Sequence, residues 1–187
     1  MSLRAKTCFF LAGAAIASAG PVLASDNPGA HQHGHAELHL AIEGEQIDLL
    51  FTSPAYNLVG FEHRARSDDQ KALVNEVTNW LGQTPLANTS EGGCTVMNAV
   101  VHHQAGGDDH GHSHGHDHDH QDESSHSDFE VTQTLSCPGL SSSQALATPI
   151  TTRFSGIEHL GVQWVWPEGQ GSARLGHGQS TFELRSQ

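Results

Sequence analysis

The sequence has few basic residues. Its 187 residues include 8 Lys and Arg against 21 Asp and Glu, so the formal net charge is −13 with neutral histidines. Proteins that bind nucleic acid need Lys and Arg to displace the counterions of the phosphate backbone. The composition therefore excludes a nucleic-acid partner and favours the binding of cations.

Long apolar runs are also scarce, and the one near the N-terminus is too short to span a bilayer. It covers about residues 8–19 and follows Arg4 and Lys6, and Val22 and Ala24 lie three and one residues before a predicted cleavage point ahead of Ser25. This order is typical of a secretory signal peptide. We therefore predict a signal peptide at residues 1–24 and one mature domain at residues 25–187, exported and without stable insertion in a membrane after cleavage.

Cysteine is nearly absent. Of the three cysteines, Cys8 belongs to the predicted signal peptide, which leaves Cys94 and Cys137 in the mature chain. In an exported protein an isolated pair favours a disulfide over two free thiols or two zinc ligands. The loop closed by such a bond spans about 44 residues, for which the chain-entropy model gives about 4 kcal/mol of stabilisation.

Several segments alternate apolar and polar residues, which is typical of half-buried strands. Residues 36–44 and 45–54 are predicted to form a β-hairpin because a tight connection at Gly44 and Glu45 joins them. Residues 160–167 and 180–185 predict two more strands. A short helical turn is expected shortly before residue 160.

A second hairpin is predicted around the cysteine pair. Residues 94–102 and 129–137 both have strand character, and a Cys94–Cys137 bond would pin their far ends so that they pair antiparallel. The long polar insert between them could then leave the sheet after the first strand and return at the second without disrupting their pairing. The predicted neighbours are Val96 with Leu135 and Val100 with Val131.

Residues 67–85 predict the clearest helix. Ser67 and Gln70 form a capping box, and Gly82 followed by Pro85 predicts the end of the helix. The apolar stripe consists of Leu73, Val74, Val77, Trp80 and Leu81. With strands in the majority, we predict a single α+β domain that has a mostly antiparallel sheet, one clear helix and a disulfide-stapled hairpin carrying a disordered His-rich insert.

Histidine is abundant, with 16 residues. Nine of them and seven acidic residues fall in a His/Asp-rich segment at about residues 102–128, which we predict to be a flexible loop. Neutral imidazole binds zinc, copper and nickel, and Gly and Ser let the backbone fold around an ion. We expect several ions to bind weakly or moderately, and to be lost below about pH 6. The alternative is a solvated low-complexity loop without a binding role.

A tighter site needs ligands on rigid elements. The best candidate unit joins the His-x-His arm before the first strand to the Glu-His pair before the helix, because zinc usually takes three or four ligands. His159 and His177 are isolated and are interpreted as surface residues. The candidate metal ligands are His31, His33, His35, Glu62, His63, His102, His103, His110, His112, His114, His116, His118 and His120.

Two motifs carry a family resemblance. The stretch "HQHGHAEL" opens the first predicted strand, and "SPAYNLVGFEH" follows the second. Together with single cysteines bracketing a His-rich insert, these motifs resemble the ZrgA family of zinc-regulated exported proteins. The resemblance covers most of the mature chain. It implies a periplasmic zinc-binding protein made under zinc limitation and associated with zinc acquisition, and it favours zinc over nickel or copper.

The leading hypothesis is a non-catalytic periplasmic protein that captures or buffers zinc and passes it to a zinc import system. One alternative is the substrate-binding protein of an ABC zinc importer, which is built from two α/β lobes and for which this chain is short. The other alternative is a metal-dependent hydrolase. No HExxH or G-x-S-x-G motif is present, and the His-rich tract is too pliable to hold a catalytic geometry.

Overall fold

The computed structural model describes residues 32–104, 127–140 and 145–184. The predicted signal peptide and most of the predicted loop lie outside the described residues. No helix within the described ranges is long and apolar enough to cross a membrane. The elements, in chain order, are β1 (His35–Glu43), β2 (Gln46–Pro54), α1 (Ala55–Val59), α2 (Asp68–Gln83), β3 (Asn88–Thr89), β4 (Thr95–Gln104), β5 (Asp128–Ser136), β6 (Ala145–Ala147), α3 (Ile150–Arg153), β7 (His159–Trp166), β8 (Gly169–Gly176) and β9 (Thr181–Glu183).

Six strands form the main sheet, in the order β4-β5-β2-β1-β7-β8. Every neighbouring pair is antiparallel except β1 and β7, which run parallel. A small sheet of β3, β6 and β9 accompanies it. The predicted α+β class with a mostly antiparallel sheet is confirmed.

The first hairpin forms as predicted. Glu43 pairs with Gln46 at its tip, and Gly44 takes the left-handed φ of 58° that the tight connection requires. Leu38 and Phe51 lie opposite each other and are fully buried. Because side chains alternate along a strand, His35, Glu37 and His39 of β1 project from the opposite side of the sheet, which we call the outer face.

The core lies between the inner face of the main sheet and the helices. Val77 and Leu81 are the buried residues of α2, which packs on β4 and β5. Trp80 meets Phe154 edge to face, with ring centroids 5.2 Å apart. The small sheet joins the same core through Phe182, whose ring lies 5.5 Å from that of Trp164.

Helix α2 begins as predicted and ends later than predicted. The Ser67 side chain accepts from the Gln70 backbone, and the Gln70 side chain accepts from the Ser67 backbone, which completes the capping box. The prediction that Gly82 follows the helix is wrong, because the helix continues to Gln83. The buried amide of Gln133 donates to carbonyls in the last turn and just beyond it, so no glycine cap is needed there.

The disulfide between Cys94 and Cys137 is present. Strands β4 and β5 pair antiparallel, and Val96 lies opposite Leu135 as predicted. The predicted pair of Val100 with Val131 is wrong by one residue, because the register shifts between Val96 and Asn98. Val131 instead lies opposite Val101, and Val100 lies opposite Thr132. A bulge adds a residue to one strand, and so changes which side chains face outward beyond it.

Candidate functional site

Both ends of the His-rich insert join the main sheet at the same end of its strands. Strand β4 ends at Gln104, which pairs with Asp128 at the start of β5, and Asp128 also pairs with Pro54 at the end of β2. Strand β1 starts at this same edge with His35, and Ala55 of α1 donates a backbone hydrogen bond of 2.6 Å to Ser127. We call this end of the sheet the insert edge.

His33 is held at the insert edge by α1 and the segment that follows it. Its ring stacks on that of Tyr56, with centroids 4.3 Å apart. Its Nε2 lies 2.8 Å from Oε1 of Glu62. An ionised carboxylate can only accept a hydrogen bond, so Nε2 carries the proton and the lone pair of a neutral ring lies on Nδ1. The predicted proximity of His33 and Glu62 is therefore present in the fold.

The motif "SPAYNLVGFEH" forms the support for this pair. Asn57 is buried, accepts a hydrogen bond of 2.8 Å from the backbone N–H of Gly34, and donates one of 2.7 Å to the carbonyl of His35. Gly60 ends α1 in the left-handed conformation, which turns the chain back toward Glu62. Asn57 and Gly60 of the motif thus fix the position of the start of β1 relative to the segment that follows α1.

His63 does not join this pair. Its ring stacks on Phe61 at a centroid distance of 5.0 Å, and its Nδ1 bonds with the carbonyl oxygen of Arg64 at 2.9 Å. His31, the other member of the predicted unit, lies outside the described residues. Of the four predicted members, the fold brings two into direct contact.

His35 meets a residue that the sequence interpretation treated as isolated. In the parallel pairing of β1 and β7 it lies opposite His159, and the two ring centroids are 5.2 Å apart. Both side chains are partly buried. The sequence gives no local signal for this contact, because the two residues are far apart in the chain and parallel partners cannot be identified from alternation alone.

The two histidines at the end of β4 have different environments. His102 is exposed and lies opposite Glu130 in the register. His103 stacks on the buried ring of Phe129 at a centroid distance of 4.3 Å, and its Nε2 is 3.1 Å from the hydroxyl of Ser127. Burial lowers the pKa of His103 below its ordinary value. Both histidines line a cavity of about 550 Å³ at the insert edge.

The remaining candidate ligands are not described by the structure. Within residues 32–104, 127–140 and 145–184, no three His, Cys, Asp or Glu side chains are already grouped as a bound metal ion would require. The fold does bring pairs together at or near the insert edge. The candidates that lie outside the described residues are His31, His110, His112, His114, His116, His118 and His120.

Comparison with known proteins agrees with the motifs. No curated protein matches the chain. The family model described as "ZrgA family zinc uptake protein" matches residues 30–184, which include both motifs, both cysteines of the disulfide and the insert. The chain therefore belongs to the ZrgA family of zinc uptake proteins.

Proposed function

We propose that this chain is a periplasmic, non-catalytic protein that captures or buffers zinc and passes it to a zinc import system. The observation that carries the proposal is the convergence at the insert edge. The His33–Glu62 pair, the start of β1 and both ends of the His-rich insert share this end of the sheet. Family membership supplies the metal, and the disulfide suits an oxidising compartment outside the cytoplasm.

The insert and the edge suit two different tasks. A tract with many histidines and carboxylates raises the local concentration of ligands, so it can collect several ions. Ordering a low-complexity tract of this composition around an ion costs conformational entropy, so we expect modest affinity and fast exchange for each ion. Side chains on the folded edge are already ordered, so they lose less conformational entropy when they bind an ion and can hold it more tightly.

His33 is the edge residue best prepared for a metal. Its Nε2–H is donated to Glu62, so the ring orientation is fixed and Nδ1 is the atom available for coordination. A carboxylate that accepts from a ligating histidine also raises the basicity of that histidine. We therefore assign Glu62 the role of orienting His33 rather than that of an independent ligand.

Calorimetry tests this function on the mature chain, residues 25–187, stripped of metal and titrated with zinc at about pH 7.5. We expect more than one zinc ion to bind, in at least two affinity classes. A variant in which a Gly-Ser linker replaces residues 105–126 should lose the weak class and keep the tight one. Circular dichroism of the variant controls for folding. If the intact mature chain binds no zinc, the proposal is wrong.

A further inference from the structure

We propose that His35, His159 and Glu37 form a second zinc site on the outer face of the main sheet. The site rests on the proposed zinc-binding function and adds two ligands, His159 and Glu37, that neither the motifs nor the family match assigns. It lies on the parallel pair β1 and β7, next to the insert edge.

The separation of the two imidazoles suits a shared ion. Zinc–nitrogen bonds of about 2.0–2.1 Å in a tetrahedral arrangement put the centroids of two bound imidazoles about 5 Å apart. The centroids of His35 and His159 are 5.2 Å apart, and their planes are inclined at 57°, so the rings are not stacked face to face. Because the residues are directly opposite in the sheet register, their backbones are fixed by the strand pairing.

Glu37 supplies a carboxylate beside this pair. It lies two positions after His35 on β1, and so on the same face of the sheet. Its Oε2 is buried and has no hydrogen-bond partner among the residues that the structure describes. A buried carboxylate oxygen without a partner is costly, and a divalent cation is a ligand that would satisfy it.

Gly161 makes room for that carboxylate. It pairs with Glu37 in the register, and a Cβ built on Gly161 would collide with Oε2 of Glu37. The Glu37 carboxylate thus occupies the space that any other residue at position 161 would need. Two imidazoles and one carboxylate, with a fourth position left for water, match the ligand types of a zinc site from which the ion can still exchange.

The three side chains are not yet grouped around one point. The site therefore requires the Glu37 carboxylate to rotate from its place over Gly161 toward the histidine pair when the ion binds, and attraction to the charge of the ion favours that rotation. Glu37 lies two positions after His35 on β1, and His159 lies directly opposite His35 on β7. Paired strands lie about 4.8 Å apart, so the three positions are close enough together for one ion.

Long-range ¹H–¹⁵N NMR correlation of the imidazole nitrogens tests the site on the full mature chain at about pH 7.5. As zinc is added, the nitrogen signals of His35 and His159 should shift together, while those of His177, which is exposed, stay unchanged during the first equivalents. If zinc saturates the chain and the His35 and His159 signals do not move, the site is wrong and zinc capture stands. If no zinc binds anywhere, both proposals fail.

Substitutions give a second readout. His159→Gln should retain one zinc ion fewer than the parent chain against a competing chelator. Glu37→Gln should weaken the binding of that ion at least as much as the loss of a hydrogen-bond partner of a ligand does, about 10-fold or more. His177→Gln is the matched control and should retain the parent number. Circular dichroism and the metal-free melting temperature show whether each variant is folded. A folded His159→Gln chain with unchanged zinc retention would overturn the assignment.

Discussion

The side-chain amide of Asn57 accepts a hydrogen bond of 2.8 Å from the backbone N–H of Gly34. The same amide donates to the carbonyl of His35 and to the hydroxyl of Ser53. One buried side chain therefore ties α1 to the residues that immediately precede and open β1. This tie holds the backbone from which the side chains of His33 and His35 extend.

Replacing Asn57 with Ala should lower the free energy of unfolding of the metal-free protein by about 2–3 kcal/mol, because it leaves a backbone N–H and a carbonyl without their partner. Urea denaturation measures this difference. Asn98→Ala, at an exposed strand position, is the control and should change stability by less than about 0.5 kcal/mol. Equal stability of the Asn57 variant and the parent would contradict this role.

Gln133 makes a similar tie between β5 and the chain at the end of α2. It is buried, donates to the carbonyls of Leu81 and Thr84, and accepts from the backbone N–H of Leu86. Gln133→Leu should cost about 2–4 kcal/mol, because three buried backbone groups lose their partner. Hydrogen exchange should accelerate at the Leu86 amide. The exposed Gln163→Leu serves as the control, and unchanged exchange at Leu86 would count against the prediction.

The disulfide should contribute less when the insert is shortened. The bond joins residues 43 positions apart, and loop closure in the unfolded chain gives about 4 kcal/mol for a loop of that size. Replacing residues 105–126 with a two-residue linker roughly halves the loop, so the contribution should fall by about 0.6 kcal/mol. A cycle of four chains, with the Cys94→Ser/Cys137→Ser pair in each background, measures the difference by urea denaturation. A larger contribution in the shorter chain would contradict the loop-closure account.

Acid should destabilise the metal-free protein partly through His103. Burial lowers its pKa in the folded state below the value of 6.5 in the unfolded chain. Below pH 6.5 the unfolded state therefore binds the proton more readily, and stability is lost as the pH falls toward the folded-state pKa. His103→Gln should lose less stability than the parent between pH 7 and pH 5. The exposed His102→Gln should behave like the parent, and a His103 variant that did so as well would refute the prediction.

Zinc should be released in mild acid, because a proton competes with the metal for each imidazole and the ordinary histidine pKa is about 6.5. A zinc-sensitive dye should report release beginning near pH 6.5 and largely complete by about pH 5. The chain without residues 105–126 should release fewer ions over the same range. Full retention at pH 5 would indicate ligands other than histidine.

Local patterns predicted the local elements. The alternation around Gly44, the capping box at Ser67 and the paired segments next to Cys94 and Cys137 each specify a structure within a short stretch of chain, and all three are present. The bulge next to Val96 was not predicted, because Met97 and its neighbours fit an uninterrupted strand equally well. That single extra residue decides which of His102 and His103 faces solvent.

Long-range pairing could not be predicted. Strand β7 was identified from its alternation, but its parallel partner β1 was not, so His159 was interpreted as isolated. Strand β8 was missed because it is a sheet-edge strand with several glycines and mostly exposed polar residues, and so has no apolar alternation. The sequence groups His33 and Glu62 as candidate ligands of one unit, and they are in contact. Glu37 lies in the same motif as His33 but gives no signal of its own, because its proposed role depends on the space at Gly161.

The parallel pairing of β1 with β7 has a consequence for how the protein matures. The first strand obtains its second neighbour only when the chain as far as β7 is present, so a chain truncated before β7 cannot bring His35 and His159 together. Such non-local pairing slows folding. During that delay His35 lacks its β7 neighbour, so the proposed site that it would share with His159 forms only in a late step of folding.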